Sequence, residues 1–170
     1  MRKTSAGILP YRRRGSKIEV LLVHPGGPFW AKKDLGSWSI AKGEYEESEE
    51  PFQAALREFL EETGHQPTGP FLPLTRRRQP SGKLVDAWAT EYDLDTTKLV
   101  SNTFIMEWPK GSGQVKEFPE IDRAEWFDFS EASRRIFSGQ LGFLQELFEK
   151  LTGERLPEST APPPVQSILF

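Results

Sequence analysis

The residue types with the clearest chemical capacity are crowded into one stretch, GEYEESEEPFQAALREFLEETG, running from Gly43 to Gly64. Behind Arg57 it carries Glu58, Glu61 and Glu62, three carboxylates three and four residues apart. On a helix such neighbours repel one another. At about 100° per residue, Phe52, Ala55, Leu56, Phe59 and Thr63 share one arc, and the three glutamates fill the arc directly beside it. The carboxylates therefore gather at the edge of the predicted buried face. Oxygen-rich clusters of this kind suit a hard divalent cation, Mg²⁺ above all, bound through carboxylates together with substrate phosphates. A cation would also relieve the repulsion. A glutamate-rich helix can equally present a plain solvated face. Two features weigh toward the cation: Arg57 adjoins Glu58, and a glycine loop precedes the helix, where a backbone carbonyl can come close.

These side chains need a helix with defined ends. Pro51 suits a first turn and Gly64 the residue just past a C-terminus, so the pattern predicts a helix over Pro51 to Thr63. Before it, SAGILPY and KIEVLLVHP read as strands joined by the basic turn RRRGSK, followed by the loop GGPFWAKKDLG and a short strand SWSIAK. After it, FLPLTRRRQ and KLVDAWATEYDL read as strands linked by PSGK. NTFIMEW and AEWFDF are two more, with PKGSGQVKEFPEIDR as a loop between them. Leu141, Leu144, Phe148 and Leu151 recur at helical spacing near the C-terminus. Many strands with two or three helices predict an α+β or layered α/β/α domain.

The chain has 170 residues, 36% hydrophobic and 28% charged, which suits a single folded domain. We place that domain at 1–155, with a Pro-rich tail at 156–170 ending in PPPVQSILF, a composition that reads as a flexible extension able to dock on its own domain or a neighbour. A net charge of −3 argues against a general nucleic-acid binder, so a phosphate partner must meet local lysines, arginines or a metal. Absence of cysteine excludes disulfides and thiolate metal sites and fits a cytoplasmic location. The apolar run near the N-terminus is too short for a signal sequence or membrane span. A monomer or a homodimer is expected.

Gly43, Glu49, Arg57, Glu58, Phe59, Glu61, Glu62 and Gly64 stand in the order and spacing of the Nudix box, and the chain resembles the Nudix hydrolases over roughly residues 4 to 150. SAGILPYR, GSWSIAKGE and AEWFDF are similar to family members as well. His65 departs from the usual aliphatic residue closing the box, and Ala41 from the proline often found before Lys-Gly.

The resemblance implies an α+β fold, an α/β/α sandwich with a central mixed β-sheet, and a loop–helix–loop that binds metal ions holding a pyrophosphate. Glu58 and Glu62 would be principal ligands, Glu61 a further ligand or a base acting through water, and the carbonyl of Lys42 another ligand. Arg57 and Glu49 would pair to orient the carboxylates. Mg²⁺, with Mn²⁺ able to substitute, would serve hydrolysis of a nucleoside diphosphate linked to another group. A dinucleoside polyphosphate or nucleoside triphosphate is the expected substrate. The alternatives are ADP-ribose, a nucleotide sugar, or a silent nucleotide-binding module. A base outside the box is common in the family; Glu117 and Glu120 are the candidates, with Glu107 behind them. For substrate binding, Lys32, Lys42, Arg76, Arg78 and Lys83 could meet phosphates. Trp30, in its Gly/Pro/Lys loop, is the best placed of Trp30, Trp38 and Trp88 to stack on a base.

Overall fold

The computed structural model describes residues 3–158; most of the expected tail, from 159 onward, lies outside them. The first strand, β1 (Thr4–Arg14), organises the sheet because both its edges are used. One edge pairs in parallel with β6 (Leu84–Glu91), from Thr4↔Leu84 to Tyr11↔Glu91. The other is shared. Its N-terminal half pairs antiparallel with β3 (Ala41–Tyr45), and its C-terminal half with β2 (Lys17–Pro25), across the basic turn. Because β1 cannot hold β2 and β3 over the same residues, these two strands diverge at its middle. Lys42 and Gly43 thereby lie on a strand whose far edge is open to the helix that follows.

Strand β2 continues to β9 (Ile121–Asp128), and β6 carries two short strands, β4 (Phe71–Pro73) and β5 (Arg77–Arg78), on its other side. Alternation along β1 and β2 divides the core between two faces. Ala6, Ile8, Leu21 and Val23 face α1 (Pro51–Thr63), with Ala54, Ala55 and Phe59. Leu9, Val20 and Leu22 face α2 (Phe129–Arg135) and α3 (Leu141–Thr152), with Phe143, Leu144 and Leu147. This is the expected helix–sheet–helix layering around a mixed sheet.

Four local expectations change. Trp38 and Ser39 make only isolated bridges, and the strand predicted at SWSIAK begins at Ala41. FLPLTRRRQ is two strands, because the Glu146 carboxylate takes the Thr75 amide at 2.8 Å and interrupts the ladder. The predicted loop after Trp108 contains β8 (Val115–Pro119), which pairs with β7 (Thr103–Glu107) in a separate two-stranded sheet. Glu107 accepts the Gly111 amide at 2.7 Å and so shapes the turn of that hairpin. Helix α2 follows β9 directly, capped by Asp128, whose carboxylate accepts the Glu131 amide at 2.8 Å. No described helix is long and apolar enough to cross a membrane.

Candidate functional site

Helix α1 starts where Glu50 caps the Gln53 amide at 2.9 Å and ends where the Gly64 amide returns to the Leu60 carbonyl at 2.8 Å. Burial reaches Ala54 as well as Ala55. At about 100° per residue, Glu58 and Glu62 project between these two alanines, and Glu61 lies just outside them. The apolar face thus overlaps the acidic one. Burial lifts the pKa of Glu58 above the ordinary carboxylate range, partly against the pull of Arg57. Glu62 rises well above it, through burial and then the charge of Glu58. Its Oε2 is sealed from solvent without a hydrogen-bond donor. A desolvated carboxylate oxygen is costly unless a proton or a cation meets it.

Arg57 supplies the counter-charge to the rest of the cluster. Its Nε and Nη2 grip Glu49 at 2.7 and 2.8 Å, a two-point contact that draws the Glu49 pKa down. Its Nη1 reaches Glu58 at 2.9 Å and Glu61 at 3.1 Å. One guanidinium therefore fixes three carboxylates, and Glu62 is the one it leaves out. Gly43 lies under the same cluster. A Cβ there would stand 2.0 Å from a Glu58 carboxylate oxygen, so only glycine admits that side chain against β3.

Lys42 precedes it on β3, its backbone N–H turned toward Glu62, whose pKa it helps to lower. In a strand, the N–H and C=O of a residue point to the same side, so the Lys42 carbonyl also faces α1. The Lys42 ammonium is pushed down to about 8, chiefly by burial and then by Lys83, against the attraction of Glu62, Glu44 and Glu58.

The donor set fits a hard cation: a sealed carboxylate oxygen on Glu62, the oriented carboxylates of Glu58 and Glu61, and a nearby carbonyl. Among the described residues no group of three acidic, histidine or cysteine side chains is already drawn together as a finished metal cage. Arg57 Nη1 holds Glu58 and Glu61 together, while Glu62 stands apart from that contact.

Beyond Lys42 opens a cavity of about 360 Å³ whose walls include Trp30, Phe29, Phe104, Met106, Gln79 and Lys83. Phe104 and Met106 come from alternate positions of β7, so the hairpin turns one apolar face to the cavity. Gly27, at φ 96°, brings its loop so close that an added Cβ would lie 2.9 Å from the Phe104 ring. Lys33 lies 3.8 Å over the Phe29 ring and 4.8 Å over Trp30. Lys83 lines the wall while holding Glu44 at 2.9 Å.

A ladder of backbone bonds ties hairpin and helix together. The Asn102 amide donates to the Glu61 carbonyl, the Glu120 amide to Asn102, and the Gly26 amide to Glu120, each at 2.8 Å. This brings Glu120 near the end of α1, where its charge raises Glu62, and where burial raises its own pKa.

The other expected residues lie further out. Glu117 is exposed on β8 opposite Ile105. Lys32 is exposed. Arg76 is clamped on Asp86 at 2.7 and 2.9 Å, and Arg78 is exposed on β5. Both border a second cleft toward α3 instead of the aromatic cavity. Trp38 is fully buried, with its indole N–H on Asp34 at 2.8 Å, and Trp88 packs against Phe52. His65 meets the Lys98 carbonyl at 3.2 Å. Sequence reasoning passed over Phe104, Met106 and Gln79. The alternation in NTFIMEW was the available signal for the first two, but nothing local marks Gln79.

The NUDIX domain family model matches residues 1–147. No curated protein matches the sequence. Among solved structures, the Ap4A hydrolase of C. elegans in a binary complex superposes with a TM-score of 0.61 at 20% identity, over 88% of this chain and 99% of that one. The NUDIX domain of Shewanella oneidensis NrtR, complexed with ADP ribose, gives 0.61 at 15% identity, over 89% and 90%. The M. smegmatis Nudix hydrolase RenU gives 0.55 at 21%, over 92% and 90%. At these identities the likeness is one of fold.

Proposed function

This chain is a member of the NUDIX domain family, a pyrophosphohydrolase, and we propose that it is Mg²⁺-dependent and cleaves the pyrophosphate of a nucleoside diphosphate linked to a second group. A dinucleoside polyphosphate or nucleoside triphosphate is the preferred substrate, with ADP-ribose or a nucleotide sugar as the alternative. The observation that carries this reading is the juxtaposition at Lys42: a sealed, donorless Glu62 oxygen on one side and an aromatic cavity with two lysines on the other. An acidic cluster alone needs no such neighbour. A diphosphate bridging a metal and a nucleoside needs both.

Glu58, Glu62, Glu61 and the Lys42 carbonyl would hold the cation, which when bound supplies the positive charge a diphosphate and its leaving oxygen require. Arg57, itself held by Glu49, keeps Glu58 and Glu61 oriented. Lys42 and Lys83 meet the phosphates, and Trp30 and Phe104 flank the base. Hydrolysis forms a bond from a water oxygen to phosphorus and breaks the bridging P–O bond, and a carboxylate must accept the proton of that water. Glu120 is exposed like Glu117 but stands close enough to Glu62 to raise its pKa, which favours it over Glu117 as the acceptor.

The test is a panel of dinucleoside polyphosphates, nucleoside triphosphates, nucleotide sugars and ADP-ribose with Mg²⁺, products being identified by mass. Labelled water, H₂¹⁸O, marks the phosphorus attacked. Turnover that needs the cation and is lost in Glu62→Gln supports the proposal. Full activity in that variant removes Glu62 from the site, and cation-independent turnover removes the metal.

A further inference from the structure

Two glutamines are buried among the described residues, and they are treated differently. Gln140 is fully used: its Oε1 accepts the Ile40 amide at 2.9 Å and its Nε2 donates to Ser39 at 3.0 Å. Gln79 is 5% exposed, yet its side-chain amide makes no hydrogen bond among the described residues. Its backbone is committed, with N–H on the Lys83 carbonyl and C=O on the Gly82 amide, both at 2.8 Å. The turn between β5 and β6 is thus pinned at Gln79, and close packing of its Cα and Cγ toward Gly139 holds the stem. What remains free is the amide: neither its oxygen nor its nitrogen is sealed from solvent, and Gln79 lines the aromatic cavity on one side and the cleft bordered by Arg76 and Arg78 on the other.

Buried polar groups are almost always paired with protein or water, and an amide held on a largely buried stem with no protein partner is open to a ligand in the cavity it lines. We propose that Gln79 reads the hydrogen-bonding edge of the substrate's base, a specificity-determining role that rests on reading this cavity as the nucleoside end of the site. An amide offers a donor beside an acceptor, and a base edge carrying the complementary pair is bound through two hydrogen bonds. Because no neighbour fixes which end of the Gln79 amide is oxygen, a half-turn of the group exchanges the two. Adenine, with its amino group next to a ring nitrogen, and guanine, with its carbonyl next to N1–H, are then both accepted. The residue demands a base without choosing between the purines. A carboxylate at the same place would present acceptors only, which suit the N1–H and amino group of guanine and leave adenine a single contact.

The experiment measures kcat/KM for the adenine and guanine forms of the best panel substrate, and for an analogue with the base replaced by hydrogen. In Gln79→Leu, the preference for a base-bearing over an abasic substrate should fall about ten- to a hundredfold. In Gln79→Glu, guanine should overtake adenine by about tenfold or more. The second ratio is internal to one protein and decides the matter even where Gln79→Leu fails to fold. Unchanged ratios in an active enzyme overturn the role of Gln79 and leave the pyrophosphohydrolase reading standing. A wild-type protein that turns over none of the nucleotide panel overturns both.

Discussion

Glu62→Gln should make the cation-free protein more stable while destroying its activity. The structure gives three reasons. Glu62 Oε2 is sealed without a donor, Glu58 and Glu120 both repel the charge, and burial outweighs the help from Lys42. Since the folded chain raises the Glu62 pKa, it binds that proton more tightly than the unfolded chain does. The group's contribution is therefore stabilising at and below the ordinary value of 4.5 and is lost as pH climbs through the raised one. At pH 8 the wild type must either bury the Glu62 charge or take up a proton that the unfolded chain lacks, and glutamine need do neither. Relieving an unpaired buried polar group is worth about 1–3 kcal/mol, or roughly 2–12 °C in Tm for a domain of this size. The assay is thermal unfolding in chelator between pH 4 and 9, repeated with excess Mg²⁺. The variant should be the more stable protein at pH 8, the gap should close near pH 4, and Mg²⁺ should stabilise the wild type alone. A variant equal to or weaker than wild type at pH 8 in chelator would mean that Glu62 is not under electrostatic strain.

Other perturbations separate site geometry from folding. Gly43→Ala should fold, because the colliding atoms are the flexible end of Glu58, yet lose at least about tenfold in Mg²⁺ affinity or activity as that carboxylate is displaced; calorimetric titration with the metal measures it. Arg57→Lys keeps the charge but gives up the two-point grip on Glu49, so kcat/KM should fall about 10–100-fold with little change in Tm. Lys42 titrates near 8, so kcat/KM should decline above that pH as the ammonium is lost, and Lys42→Arg should carry the alkaline limb upward in a pH–rate profile. Phe104→Ala should weaken nucleotide binding about 5–100-fold, as expected for one lost stacking face, with kcat less affected.

The acidic helix was legible in residue order alone because its information is local. A helix repeats at a fixed angle, so spacing by three and four settles that Glu58, Glu61 and Glu62 share a side, and the flanking Pro51 and Gly64 settle its ends. The box pattern and the layered α+β fold follow from the same short-range regularities. The errors came where residue order leaves a strand's partner open. Nothing near Val115 announces that it will meet Glu107 across a turn, and Thr75 leaves its strand because a glutamate on a distant helix claims its amide.

Tertiary structure alone decided how the three glutamates differ. Their side chains are identical, and it is burial between Ala54 and Ala55, the fork of Arg57 and the approach of β3 that desolvate Glu62 and orient the others. It likewise brought Glu120 to the end of α1 through a ladder of backbone bonds, and turned Gln79 inward with its amide unspent. Residue type determines which groups can ionise, bind a cation or share a hydrogen bond. Which of them must do so depends on the water and neighbours each has lost, and those are known only once distant segments have closed around it.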